Sequence, residues 1–299
     1  MEKIIAIKKR LFRGTGNYSK RFRRSKAGNF FYFVFIMLFG LFCVLPLVYA
    51  VITSFKPIDE LLLFPPRFFV KRATMTNYTG LPDLLSNMAV PFSRYVSNSL
   101  FVSIVTTFLY VIVSSMAAFV LAKCKFRGRK AYFWIVQFAL MFNATTLAIP
   151  SYIVYARLNM IDTYWVYILP QLASTMGVFL MKQYMEGYVP DALLEAAKID
   201  GAGYFRIYRT IVLPIVKPAL LTLVLFGFRD VWSNVPTTTI FTERLKTLPM
   251  VTTQIVAGGT ARSGNAAAIT VIMMIPPILV YLISQSNVIE TMTSAGIKE

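Results

Sequence analysis

Two groups of residues in this 299-residue sequence could do chemistry, and both are tied to long apolar runs. The first comprises Gln137, Asn143, Gln171, Arg229, Asp230, Trp232 and Asn234, which fall inside such runs or at their ends. A polar or ionisable side chain is costly in hydrocarbon, so at membrane depth it tends to face a cavity, a partner charge or a neighbouring helix. These seven are therefore candidates for a substrate pathway. Trp232 and Asn234 set an aromatic face beside a planar hydrogen-bonding group, a pair that offers both apolar contact and hydrogen bonds. Arg229 and Asp230 equally fit pairing with a partner subunit, and Gln171 fits a hydrogen bond between helices.

The second group lies in segment 185–217, MEGYVPDALLEAAKIDGAGYFRIYRTIVLPIVK. Pro190 suits the first position of a helix, Asp191 complements the positive end of its dipole, and Gly201 with Gly203 supplies the stop. A helix of about three turns follows from these signals. A second stretch, 204–212, places Phe205, Tyr208 and Val212 on one helical face, and Pro214 is expected to end it. Helix, glycine turn and helix between two membrane spans also describes a hairpin lying on a lipid surface.

Missing residue types narrow the chemistry further. With no histidine, the chain lacks the commonest metal ligand and the usual base of a hydrolytic triad. Cys43 sits in an apolar run and Cys124 in a basic loop, so neither a disulfide nor a metal knuckle is expected. No G-x-x-x-x-G-K-[ST] cradle occurs, so the chain is not expected to bind or split ATP by itself. A non-enzymatic role without a resident metal or cofactor follows.

The elements that must position these residues are membrane helices. The composition is 57% hydrophobic and 15% aromatic, well above that of a soluble domain. Runs of about 20 apolar residues pick out six spans, at about 30–52, 100–122, 131–149, 164–181, 218–232 and 266–284. The first run is longer than the apolar core of a secretory signal and is followed by further spans, so it is read as a span. Arg229 and Asp230 interrupt the fifth, whose start at Pro218 fits a proline in a first helical turn.

Lys and Arg outnumber Asp and Glu by 31 to 13, and 21 of the 31 fall in segments that are inner if the N-terminus is inside. By the positive-inside rule both termini are cytoplasmic, with a basic tail 1–29 and a short tail 285–299. Basic residues between apolar runs mark topology and contact with anionic lipid rather than a nucleic-acid interface. The outer segments are too small for an enzyme domain, but two are long enough to imply contacts of their own.

Glu195-Ala196-Ala197, Gly201 and Leu213-Pro214 resemble the EAA loop of ABC importer permeases, E-A-A-x3-G followed by a leucine-proline pair. Further stretches are similar to the second, six-span permease of the maltose type. They are Ser54-Phe55-Lys56, Thr76-Asn77-Tyr78, Asn98-Ser99-Leu100 and Ser294-Ala295-Gly296-Ile297-Lys298, whereas 245–264 matches only loosely. The resemblance implies an all-α, six-span fold of the type I ABC importer permease with a cytoplasmic coupling helix, in a bacterial cytoplasmic membrane. It implies that Glu195, Ala196, Ala197, Asp200, Gly201, Phe205, Leu213 and Pro214 form the coupling element seated on an ATPase subunit. It also implies a second permease subunit, two ATPases that bind ATP and magnesium, an extracellular solute-binding protein and a sugar cargo. An ABC permease for a non-sugar solute shares the EAA loop. A secondary transporter requires inverted repeats and buried carboxylates, for which only Asp230 is available.

Overall fold

The computed structural model describes residues 26–86, 90–142 and 145–296, and all regular elements among them are helical. The chain divides after Val51 into two units. The first holds most of α1 (Lys26–Ser54), whose large apolar side chains are exposed along the helix. At 1.5 Å per residue α1 is about 43 Å long, more than the ~30 Å of hydrocarbon it has to cross. The basic residues of the expected N-terminal tail lie outside the described residues or have no described side chain, and so does Lys298.

The second unit contains α2 (Thr76–Ser86), α3 (Phe92–Lys123), α4 (Arg129–Ala139), α5 (Ala148–Arg157), α6 (Trp165–Leu172) and α7 (Thr175–Tyr188). It continues with α8 (Asp191–Ile199), α9 (Tyr204–Ile215), α10 (Lys217–Trp232), α11 (Leu248–Ala257) and α12 (Ser263–Gly296). Along α3, residues Asn98, Ser99, Ser103, Thr106, Thr107, Ser114 and Ser115 are all buried. Their spacing of three to four puts them on one face, and small hydroxyl side chains there let neighbouring backbones approach closely. α6, α7 and α10 pack on α3, and α12 packs on α10.

Three described helices are long and apolar enough to cross a membrane alone: α1, α3 and α12, the last despite Pro276 and Pro277. α9 and α10 pass only as a pair, bent by 84° at Val216. The all-α membrane fold expected from the sequence is present, but the third and fourth expected spans are not continuous helices. Span 131–149 becomes α4 and α5. Pro150 cannot donate to a carbonyl one turn back, so it is accommodated only in the first turn of a restarted helix. Span 164–181 becomes α6 and α7, because Ser174 takes an extended conformation (φ −61°, ψ 117°) and opens a new helix. Conversely α3 starts at Phe92, eight residues before the expected 100, since Pro91 is extended and the polar first turns need no hydrocarbon.

Side-chain clamps organise the end of the bundle away from α8. The Asn98 amide donates to the carbonyls of Arg244 (2.8 Å) and Lys246 (3.0 Å), while its own oxygen accepts from the Tyr164 hydroxyl (3.0 Å). Ser99 accepts the Leu248 N–H at 2.6 Å. Asp162, at φ +59°, accepts from the N–H groups of Phe241 (3.0 Å) and Thr242 (2.9 Å) and from the Thr242 hydroxyl. Burial pushes the Asp162 carboxyl up, but those bonds outweigh it and hold the group below its ordinary value. Asn77 similarly donates to the carbonyls of Ser54 and Lys56, both at 2.8 Å, and its own carbonyl accepts from Asn265 at 2.9 Å.

Replacing Asn98 by Ala orphans two carbonyls and a tyrosine hydroxyl. The expected loss of stability is about 1–3 kcal/mol, read as a lower midpoint in thermal unfolding of the detergent-solubilised protein, with Leu100→Ala, an exposed α3 position, as reference.

Candidate functional site

The 185–217 segment folds as a helix-turn-helix projecting from α7 and returning into α10. α8 begins at Asp191 with Pro190 as its cap residue, one position earlier than expected for the proline. Gly201 adopts φ +78°, and the Ala202 N–H returns to the Ala197 carbonyl at 2.9 Å, closing the helix in a left-handed turn. A β-carbon at Gly201 meets no neighbour, so the glycine is required by backbone conformation rather than by space.

The EAA residues divide between two faces. Leu194 and Ala197 are buried against Met181, Met185, Ile207 and Val212. Glu195, Ala196, Ile199 and Asp200 are exposed, Ile199 at 86%. Ala197 is thus small for internal packing, and Ala196 alone of the two alanines is presented outward. α9 runs through Pro214 instead of ending there. A π turn over Tyr208–Val212 widens the register just before the proline, making room for its ring. The expected face of Phe205, Tyr208 and Val212 is also revised: Ile207, Tyr208 and Val212 are inward, and Phe205 is 65% exposed. Leu213 is half-buried and Pro214 exposed.

Basic residues read from the sequence only as topology markers hold this element in place. Lys123, the last residue of α3, has a 6% exposed side chain and donates to the Val189 carbonyl (2.7 Å) and to Asp191 (2.8 Å). The Lys123 bond, followed by its charge, holds the Asp191 carboxyl below its ordinary value. Arg129 bridges the Ala122 carbonyl (2.7 Å) and Glu186 (3.0 Å), and Lys182 meets Glu186 at 2.7 Å while lying 3.7 Å from the centre of the Phe133 ring. From inside, the Ser115 hydroxyl meets that of Tyr208 at 2.7 Å. The exposed residues of α8 and α9 include Ile199, Tyr204 and Phe205 with the carboxylates Glu195 and Asp200 and the cations Lys198, Arg206 and Arg209, Lys198 lying 4.7 Å from the centre of the Tyr204 ring.

The substrate-pathway candidates are scattered. Trp232 is 4% exposed, stacks on Phe228 (centroids 5.6 Å) and donates its indole N–H to the Met273 carbonyl at 3.0 Å. Its ring thus packs on Phe228 of α10 and its donor is used by Met273 of α12. Arg229 and Asp230 are exposed near the C-terminal end of α10 and Asn234 just after it, Gln137 is exposed on α4, and Gln171, next to the last residue of α6, is half-buried with its amide nitrogen unpartnered. Asn143 lies outside the described residues. Among the described residues no cluster of His, Cys, Asp or Glu could hold a metal.

The family model described as "Binding-protein-dependent transport system inner membrane component" matches residues 111–294, a stretch that includes α7 to α10 and nearly all of α12. The chain belongs to that family. The permease is 28% identical over 269 residues to the arabinooligosaccharides transport system permease protein AraQ of Bacillus subtilis, covering 89% of this chain and 94% of that protein. It is 31% identical over 205 residues to the sn-glycerol-3-phosphate transport system permease protein UgpE of Yersinia enterocolitica, covering 67% and 73%. In fold it is similar to a chain from the crystal structure of a bacterial ABC transporter involved in import of the acidic polysaccharide alginate (TM-score 0.74, 23% identity, 88% and 98% covered). The permease is a multi-pass protein of the cytoplasmic membrane.

Replacing Lys123 by Met strips the Val189 carbonyl and Asp191 of their donor. Hydrogen exchange over 189–199 is expected to rise roughly tenfold, the effect of losing one charge-assisted bond at a partly exposed site. Because the folded-state value of Asp191 is depressed, its stabilising contribution is present above the ordinary value of 3.8 and fades as pH falls through the lower folded value. Acidification therefore lowers the protection of this segment, measured as exchange relative to the intrinsic rate at the same pH, in the parent protein and leaves Asp191→Asn less affected.

Proposed function

We propose that this permease forms half of the translocation pathway of an ATP-driven importer for a sugar or oligosaccharide and takes its power stroke through α8. The observation that carries the reading is the outward face of α8 and α9, where Ile199 and Phe205 stand exposed beside Glu195 and Asp200 on a turn fixed by Gly201. Large apolar side chains on an aqueous loop are costly unless a partner covers them. An ATPase subunit with a cleft that takes the apolar ridge and a basic rim that takes the carboxylates is the partner of matching chemistry.

In this reading both termini and α8 are cytoplasmic, consistent with the basic residues concentrated at that end. ATP and magnesium are bound by two ATPase subunits, a second permease completes the pore, and an extracellular binding protein delivers cargo at the end held by the Asn98 and Asp162 clamps. Closure of the ATPase pair displaces α8. The packed helices then carry that displacement to the opposite end, because a close-packed bundle has discrete arrangements rather than a continuum. Glu195, Ala196 and Gly201 act mechanically, and Gln137, Asn143, Gln171, Arg229, Asp230, Trp232 and Asn234 are the pathway candidates.

Sugar as cargo is supported by the names of relatives: AraQ is a permease for arabinooligosaccharides, and the alginate importer shares the fold. UgpE, named for sn-glycerol-3-phosphate, supports a phosphorylated polyol as a second reading.

Co-expressed with the ATPase and binding-protein genes that neighbour it, the permease is expected to co-purify with the ATPase. Ile199→Asp and Phe205→Asp should each reduce that recovery by about tenfold or more, the usual effect of losing a buried interface anchor. Full recovery from both variants removes the coupling role of this face. Calorimetry on the partner binding protein, with plant-cell-wall oligosaccharides against glycerol 3-phosphate, separates the two cargo readings.

A further inference from the structure

Tyr110 lies on α3 between two glycines that belong to different helices. It is 2% exposed. A β-carbon built at Gly177 of α7 falls 2.3 Å from the Tyr110 hydroxyl oxygen and 2.6 Å from Cζ. A β-carbon at Gly227 of α10 falls 2.6 Å from Cδ1 and 2.8 Å from Cε1 of the same ring. Neither glycine has a left-handed backbone or caps a helix, so conformational freedom does not account for them. What they provide is room: α7 approaches the hydroxyl end of the ring and α10 its Cδ1–Cε1 edge, each at backbone distance.

The position of this contact in the chain gives it mechanical meaning. α7 leads directly into α8, and α10 leads directly out of α9, so the two helices that grip Tyr110 are the two that flank the coupling loop. Gly177 is 11 residues from the loop end of α7 and Gly227 is 10 residues from the start of α10. Each is about 15 Å along its helix, half of the ~30 Å hydrocarbon thickness. On the loop side of this level lie the buried contacts of α8 with α3 and α7. Just beyond it, at Ala173 and Ser174, α6 breaks from α7, and the Tyr110 hydroxyl faces Ser174 across that joint. Asp230, one turn beyond Gly227, also lies within electrostatic range of the ring hydroxyl.

We propose that Tyr110 is the fulcrum of the transport stroke: a rigid ring on α3 over which α7 and α10 tilt together, so that displacement of α8 at one end opens or closes the α6–α7 joint and the outer end of α10 at the other. Tyr110 is a positioning residue, acting through the two helices rather than on cargo. A flat aromatic ring suits this role because it is stiff, and backbones without β-carbons can slide past it without interlocking. The inference rests on the coupling reading of α8 given above.

The test uses the complete complex, with its second permease and ATPases, in proteoliposomes. Cys43 and Cys124 are replaced by Ser and a reporter thiol is introduced by Ala173→Cys, an exposed position at the joint. The readouts are ATP hydrolysis and the rate at which the reporter thiol reacts with a membrane-impermeant maleimide, with and without trapping by ATP and vanadate. In the parent complex trapping is expected to change that rate by about tenfold, as for a state going from minor to dominant. Gly177→Ala and Gly227→Ala each insert a methyl against the ring and are expected to abolish the change while hydrolysis persists. Tyr110→Leu, which removes the ring without overpacking, gives the same loss even if the glycine variants fail to assemble, and Tyr110→Phe keeps the response. A trapping response of parental size in assembled Tyr110→Leu complex overturns the fulcrum, as does loss of the response in Tyr110→Phe or its absence from the parent. Failure of the ATPase to join the parent complex at all overturns the coupling reading itself, a separate outcome seen before any labelling.

Discussion

The hydrocarbon of the membrane allows polar groups only where protein satisfies or hides them, and α3 is where this permease meets that demand. One face of α3 carries amide, hydroxyl and tyrosine groups over almost its full length, all of them buried. Each of α6, α7 and α10 covers part of it. Because the residues on that face are small, the covering helices come close, and the site elements inherit their positions from this contact. α8 is held where it is because Lys123 at the end of α3 reaches Val189 and Asp191. The far loops are held because Asn98 and Ser99 near the beginning of α3 reach the backbone of Arg244, Lys246 and Leu248.

This arrangement gives one helix two jobs at opposite ends of the bundle. Charge-assisted bonds anchor α8, whereas mostly neutral side-chain-to-backbone bonds anchor the other end. Between them α3 buries small hydroxyl side chains and Tyr110. The helices break at Ser174 between α6 and α7 and at Val216 between α9 and α10. The family stretches at Ser54-Phe55-Lys56, Thr76-Asn77-Tyr78 and Asn98-Ser99 acquire a physical meaning in the same terms. They are clamps between loops and helix ends, and none requires contact with cargo to explain its composition.

Some of the site is legible from residue types alone. Pro190, Asp191 and Gly201 mark α8 because a proline without an N–H, a carboxylate at a dipole end and a residue free to take positive φ each have few suitable places in a chain. What faces outward on α8 is not legible. Glu195-Ala196-Ala197 reads as one motif, yet the third member points inward, since helical rotation relative to α7 is set by packing against Met181 and Met185. Periodicity puts Phe205 on one face with Tyr208 and Val212, but Tyr208 and Val212 are buried and Phe205 is exposed. Trp232 has the residue type of a sugar platform, and only the α10–α12 contact shows its indole already occupied.

By itself the sequence determined that this is an all-α membrane protein, because hydropathy is a property of composition and local order. It also marked out the helix-turn-helix of 185–217, whose helix signals are local. Tertiary structure decided that two of the apolar stretches are broken rather than continuous, that Lys123 and Arg129 brace the segment around α8, and that Tyr110 is seated between Gly177 and Gly227. Those outcomes depend on which helix lies against which, and residues 67 and 117 positions apart in the chain leave no periodic trace of their contact with Tyr110.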